Sequence, residues 1–487
     1  CSANLPDPTI LLPNKHFGTI TYSGNGSANR TISDTSLVNF SPDWVWVKRR
    51  DSNGYHILTD AIRGAGKYLV SNTTDAESSG GSQLINGFVT NGFQIGTENA
   101  VNSSSGTYVA WNWNAGDTDG KTYTVKVVSD GGNKYRFDDF GTSAVTLDLA
   151  EGGTYIFDGS DSSMASHPIK LSETSNGTHG GGSSYNTGVT YLLDGASVTE
   201  SAYVSGYASA TTRQLKIVVA ASAPTLYYYC HYHSGMGGQA NTNSTLGSSN
   251  FDGTIQSVAK VNASAGFSIV TYSGNHTSGA TVGHGLGIAP KVVIVKARGT
   301  VNNQNRGWNV YHAEIGNTKY IQLNSENTPV TNSDWWNNTS PNSTTFTLGN
   351  DYDVNADISG GNYVVYCFSE VAGYSKFGSY TGNGSSDGTF VFTGFRPAMV
   401  IIKCISNTEQ WYIIDNKRPE FNGALGSSGI MKWLKPNQSS AENQNGLYNF
   451  LSNGFKLGYP GVDTNGNGRT YIYLAFAESP FKNARAR

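Results

Sequence analysis

The sequence predicts an all-β protein built from several small antiparallel sandwiches. Three observations predict it. Short aromatic and β-branched runs, punctuated by Asn-Gly and Ser-Gly turns, dominate the chain, and long amphipathic Lys/Glu/Leu segments are missing. Gly is abundant, at 59 of 487 residues, while charged residues make up only 14%, against roughly 25% in an average globular protein. Finally, one pattern of four landmarks occurs three times in the same order.

Each copy of the pattern begins with a turn: Tyr22-Ser-Gly-Asn-Gly26, Tyr272-Ser-Gly-Asn275 or Tyr380-Thr-Gly-Asn-Gly384. A strand led by Pro follows: Pro42-Asp-Trp-Val-Trp-Val-Lys48, Pro290-Lys-Val-Val-Ile-Val-Lys296 or Pro397-Ala-Met-Val-Ile-Ile-Lys403. Next comes Asn91-Gly-Phe-Gln-Ile-Gly96, Thr345-Phe-Thr-Leu-Gly349 or Asn453-Gly-Phe-Lys-Leu-Gly458. An aromatic strand closes each copy: Thr107–Trp113, Asn362–Phe368 and Thr470–Phe476. The period is too long for a solenoid unit, so each copy reads as a whole β domain. Within copy one, Trp44 and Trp46 point to one face of a strand and Val45 and Val47 to the other. Both faces are apolar, as expected of a central strand.

Taken in order, residues 1–15 form an extended arm, kept off helix by Pro6, Pro8 and Pro13. Copy one occupies 16–117, and a different segment fills 118–243. The Gly/Ser/Asn/Ala stretch 244–265 reads as a linker with one strand near Thr254 to Val258. Copy two covers 266–373 and copy three 374–480, joined without a linker at Gly373, so these two are expected to pack rigidly. A basic tail, 481–487, is either a solvated end or a docking peptide for a neighbouring subunit.

A net charge of −3 and a pI near 6.3 give no electrostatic case for nucleic acid. No apolar run approaches the roughly 18 residues of a spanning helix. Cys367 and Cys404 fall in predicted core strands, as small buried hydrophobes or as a disulfide pair. Cys1 follows an excised Met or carries lipid.

One constellation could carry chemistry. Cys230, His233 and Met236 form a Cys-x2-His-x2-Met loop at the end of the strand Thr225–Cys230, with His167 far upstream. A thiolate, two imidazoles and a thioether are the ligand set of a type 1 copper site. Zinc on Cys230, His233 and His167 is the other metal this donor set admits. His179, in a Gly-rich loop, reads as exposed rather than ligating.

Other motifs carry less. Arg63 could anchor an anion, but copies two and three lack an aligned Arg-Gly, which favours a structural role. The run Asp351–Asp357 lacks the Gly and closing Glu of a calcium loop and reads as solvated. Gly283-His-Gly-Leu-Gly has no phosphate-loop context, and no Gly-x-Ser-x-Gly elbow or recurring carboxylate pair is present. Trp335 and Trp336, in a polar loop of copy two, are the candidates for stacking on a glycan ring.

The four landmarks together resemble a module repeated in marine bacteriophage structural proteins, itself similar to concanavalin-like (LamG or SPRY-type) jelly rolls. The ending Ala475-Phe-Ala-Glu-Ser-Pro-Phe481 and the beginning Cys1-Ser-Ala-Asn-Leu-Pro6 are similar to the ends of such chains, which favours Cys1 after an excised Met. The segment around Thr122–Val127, Ala144–Phe157, His167 and the Cys230 loop resembles a cupredoxin, interrupted by a Gly/Ser/Asn-rich insertion at 174–208. The resemblance implies His167 and His233 as imidazole ligands, Cys230 as thiolate and Met236 as axial ligand of a copper ion.

The expected fold is thus three tandem jelly-roll-type sandwiches plus an inserted cupredoxin-like Greek-key sandwich. The resemblance implies a non-enzymatic virion surface protein, on a tail fibre, appendage or capsid. It would serve host adhesion, to a glycan or a protein, or particle decoration. Other virion proteins and further copies of the chain are the implied partners. The alternatives are a copper-binding redox or metal-sequestering protein with lectin-like accessory modules, and a polysaccharide-active enzyme for which no acid pair can be nominated.

Overall fold

In copy one the strand Trp44–Arg49 lies between Thr107–Trp113 and His56–Asp60, antiparallel to both and buried on both faces. The computed structural model describes residues 8–116, 120–242, 247–418, 432–444 and 448–481. Cys1 and the tail beyond Phe481 lie outside the described residues. The chain divides into two compact units: Cys1–Ala115 with Val261–Ala280 and Leu286–Arg487, and Gly116–Lys260 with Thr281–Gly285. Strands dominate both, as the composition predicts.

Copy one pairs its strands in the order Phe17–Ser23, Thr107–Trp113, Trp44–Arg49, His56–Asp60, Lys67–Val70, Ser78–Ser79. A second sheet, Arg30–Ser33, Gly92–Ile95 and Ile85–Val89, closes the sandwich over Ile20, Val45, Val47, Ile57, Phe93 and Tyr108. Copy three repeats the order with Ser375–Thr381, Thr470–Pro480, Phe395–Cys404, Trp411–Asp415 and Trp433–Leu434. Copy two does so with Phe267–Ser273, Asn362–Phe368, Val292–Ala297 and Trp308–His312. Cys367 and Cys404 are buried, free thiols.

The repeated turn is a clamp. Tyr22 and Tyr380 donate their hydroxyls to Val101 O at 2.9 Å and Thr464 O at 2.7 Å, and Tyr272 donates to Val354 O. Three fully buried asparagines, Asn102, Asn355 and Asn465, accept the N–H of Asn25, Asn275 and Asn383 at 2.8 to 3.1 Å. A Cβ on Gly24, Gly274 or Gly382 would sit 2.1 to 2.4 Å from a backbone oxygen, so only Gly fits there. Asn355 lies in the run 351–357, which is largely buried rather than solvated: Asp353 pairs with Arg306 at 3.2 Å.

Tandem in sequence, the three copies close on one another in space. Copy two reaches copy one through Trp308 Nε1 to Val70 O (2.9 Å), Arg298 to Glu77 (3.0 Å) and the Tyr366 hydroxyl to Asp60 (2.8 Å). Copy three reaches copy two through Trp411 Nε1 to Gln322 O and Lys403 Nζ to Glu326 O, both 3.0 Å. Copy one reaches copy three through Arg50 to Glu442 (2.9 Å) and Trp111 Nε1 to Asp415 (3.0 Å). A head-to-tail contact repeated three times that returns to its start is a closed ring. The second apolar face of the central strand explains it: Trp44 stacks on Tyr366 of copy two at 4.2 Å. Arg63 proves to be part of a seam, paired with Asp60 at 2.5 Å and Glu77 at 3.3 Å, and Arg418 repeats it with Asp415 and Glu442.

The second unit is a two-sheet sandwich. One sheet runs Asn133–Phe137, Gly120–Ser129, Thr154–Asp158, Arg213–Val218, Val189–Leu193, Ala196–Val198. The other runs Leu147–Asp148, Gly238–Asn241, Leu226–Cys230, Ile169–Ser172. The expected linker, 244–265, is not one where it is described. Ser248–Asn250 pairs with the start of the strand Ser257–Asn262, and these small polar residues are buried. Ser249 Oγ accepts Asp148 N–H at 2.8 Å and Ser248 Oγ meets the Tyr155 hydroxyl at 2.7 Å, so polar side chains hydrogen-bonded to the sandwich imitate a linker composition.

Candidate metal centre

Register brings the distant histidine to the loop. The strand Ile169–Ser172 pairs antiparallel with Leu226–Cys230, Ile169 opposite Cys230, and His167 stands two residues before that pair. The Tyr135 hydroxyl donates to His167 O at 2.9 Å, and His167 N–H donates to Met164 O at 2.8 Å, which fixes the backbone that carries the ring.

Cys230 Sγ lies 3.8 Å from His167 Nδ1 and 3.5 Å from His233 Nδ1. All three donor atoms fall within 4.8 Å of one another. Two bonds of about 2.3 Å (metal–S) and 2.0 Å (metal–N) at a tetrahedral angle hold S and N about 3.5 Å apart. The two S–N separations, 3.5 and 3.8 Å, are close to that spacing. Cys230 and His167 are buried and His233 is exposed, so the site has one solvent-facing ligand. Burial and the neighbouring His233 hold the His167 imidazole below its usual pKa, in the neutral form that ligates.

Met236, the expected fourth ligand, is buried in the same core cluster as Cys230. Its carbonyl accepts Tyr135 N–H at 2.9 Å, so Tyr135 braces both ends of the site. The Gly/Ser/Asn-rich stretch 174–208 supplies a support that the sequence did not reveal. Asn176, at φ +61°, accepts Gly235 N–H at 2.8 Å and donates to Ser234 Oγ at 2.8 Å, holding the ligand loop at its tip. Two polar bonds from one residue, 58 and 59 positions away, leave no mark in local sequence. His179 is exposed as expected, with Nε2 3.1 Å from Cys230 O. His231 is not in the donor cluster; its Nδ1 faces Lys170 Nζ at 3.5 Å.

The proposed sugar-stacking pair does not stand. Trp335 and Trp336 are 7% and 2% exposed. Trp335 stacks on Tyr320 at 3.8 Å and donates to Asn309 at 3.0 Å, while Trp336 packs edge-on against Tyr311. The helix Ser333–Trp336, capped by Asn332, folds the pair inward. Polar neighbours made the loop read as exposed.

A family model described as a domain of unknown function (DUF7483) matches residues 12–134 and 240–480. That is roughly three quarters of the chain, and the protein belongs to this family. The stretch between the two matched parts contains His167, Cys230, His233 and Met236, so the candidate ligands lie outside what the family model describes. No curated protein matches the chain.

Proposed function

We propose that this member of the DUF7483 family is a non-enzymatic structural protein on the surface of a bacteriophage particle, on a tail fibre, appendage or capsid. Host adhesion or particle decoration is its role in this reading. The ring carries the proposal: three copies spend their second apolar face on one another, which gives a stiff body suited to bearing load. The landmarks common to the copies are clamping turns and central strands, and the likeness to phage structural modules agrees. With Trp335 and Trp336 buried, adhesion to a host glycan or protein rests on no stacking pair. The test is mass spectrometry of purified particles with gold labelling against this chain. A fixed copy number per particle and external label support the proposal, and absence from infectious particles overturns it.

A second reading concerns the inserted unit alone and rests on the His167–Cys230–His233 cluster. We infer that it binds one copper ion, with Met236 as a fourth, weaker donor. A thiolate favours Cu(I) and imidazoles accept Cu(II), so a bound ion could pass one electron. Metal analysis of the purified protein is the measurement. Copper near one equivalent, with a visible thiolate band lost in Cys230→Ser, supports it. A protein that takes up no copper, or holds it equally well after Cys230→Ser, rules it out.

A further inference from the structure

Copy three has an open sheet edge that copy two has filled. In copy three the outer strand Phe390–Phe392 pairs on one side with Gly454–Leu457, Val391 opposite Phe455. Leu457 N–H donates to Thr389 O, and Thr393 N–H to Asn453 O. Alternation along an antiparallel pair therefore aims the backbone N–H and C=O of Phe390 and Phe392 away from the sheet. Among the described residues nothing pairs with them.

Copy two shows what such an edge accepts. There Leu348 N–H donates to Ala280 O, as Leu457 does to Thr389, so Thr281 and Gly283 stand where Phe390 and Phe392 stand in copy three. The segment Ile255–Ser257 lies along them. Ile255 N–H donates to Thr281 O at 3.0 Å, Ser257 Oγ to Gly283 O at 3.1 Å, and Ile255 bridges Val282 in parallel. Copy one has Thr31 and Ser33 at these positions, which suit a wetted edge. Copy three instead has two phenylalanines, 43% and 53% exposed, with Leu451 at 37% on the next strand but one and Lys376 Nζ 5.5 Å from the Phe392 ring. An unpaired edge lined with exposed aromatics is a docking site for a strand.

We propose that the Phe390–Phe392 edge binds an extended segment of a partner protein. The segment adds parallel to the sheet as Ile255–Ser257 does in copy two, with an apolar side chain packed on Phe390 and Phe392. The probe is a synthetic peptide of residues 251–259, which carries the Ile255–Ser257 segment that bridges the equivalent edge of copy two. It is titrated against the full chain by fluorescence polarisation, with hydrogen exchange read at residues 389–393. The control variant, Phe390→Thr with Phe392→Ser, takes its side chains from copy one, and its fold is checked by urea unfolding. Expected are saturable binding, slowed exchange at the edge and at least a tenfold loss of affinity in the variant. Absent binding, or binding that the variant leaves unchanged, overturns the proposal. So does a concentration-dependent dimer of the chain that the variant abolishes, which would make the edge a contact between copies.

Discussion

Replacing Asp415 by Ala tests whether the ring is held as described. The carboxylate accepts from Arg418 Nε at 2.7 Å, from Trp111 Nε1 of copy one at 3.0 Å, and from the N–H groups of Lys417 and Arg418 at 3.0 and 3.1 Å. Asp415 and Arg418 side chains are both 0% exposed, so water cannot replace what is lost. Breaking a buried ion pair from one side costs about 3–5 kcal/mol, since the remaining charge is stranded. Glu442, 3.2 Å from Arg418, keeps the loss at the lower end, while the orphaned indole N–H adds to it. We expect Asp415→Ala to lose about 3–4 kcal/mol in urea unfolding followed by tryptophan fluorescence. Removing both charges, as Asp415→Leu with Arg418→Met, should recover much of that, because an apolar pair of similar volume leaves no charge unpaired. A loss under about 1 kcal/mol for the single variant, or a double variant worse than the single, would refute the seam as drawn.

Three further outcomes follow from the same geometry. His312 is buried and neutral, its pKa pulled by burial from 6.5 to about 4, with Nδ1 accepting Glu314 N–H and Nε2 3.4 Å from Tyr473 O of copy three. The unfolded chain takes up a proton between pH 6.5 and 4 that the folded chain refuses, so stability falls as pH drops through that window, by up to about 3 kcal/mol; His312→Asn should flatten this part of a stability–pH profile relative to the parent. Gly24→Ala puts a Cβ 2.1 Å from Ser103 O and should cost at least about 2 kcal/mol in urea unfolding, with the parent's spectrum kept at low denaturant. On the copper reading proposed for the inserted unit, Asn176→Ala frees the tip of the Cys230–Met236 loop and should weaken copper about 10- to 100-fold in a chelator competition, with little change in the unfolding midpoint of the metal-free protein.

Much of this fold could be read from residues because its repeats are rigid requirements. Tyr22, Gly24 and Asn25 recur because a hydroxyl, a missing Cβ and an Asx turn are each needed to seat one turn. The His167–Cys230–His233 cluster was legible too as a grouping of side chains, since Cys230 and His233 share a loop. What was not legible depends on contacts between distant surfaces. The alternation of Trp44 and Val45 announced two apolar faces but not that Tyr366 of another copy covers one of them. Arg418 escaped notice because its neighbours differ from those of Arg63, although both sit three residues after the aspartate they pair with. Composition misled twice, at Ser248–Asn250, where small polar residues bond inward instead of facing water, and at Trp335, whose indole N–H bonds inward to Asn309.

Comparing the copies with one another separates what the fold demands from what each copy is free to change. The clamp asparagines and the central-strand lysines Lys48, Lys296 and Lys403 are the same in all three, and all are buried. The seams are not. Asp60 and Asp415 each hold a buried arginine and receive a donor from the next copy. At the matching place copy two has His312, with Ile315 in place of the arginine. Three identical seams would leave a closing chain free to pair its copies in the wrong order. One seam built on a neutral imidazole and two on buried carboxylates make the wrong order costly, because a misplaced copy would leave Asp60 or Asp415 without the donor that Tyr366 or Trp111 supplies. The same divergence marks the outer edges, polar in copy one, filled in copy two and aromatic in copy three. In a ring whose inner contacts are fixed by the fold, such differences at the rim are where selection for partners can act.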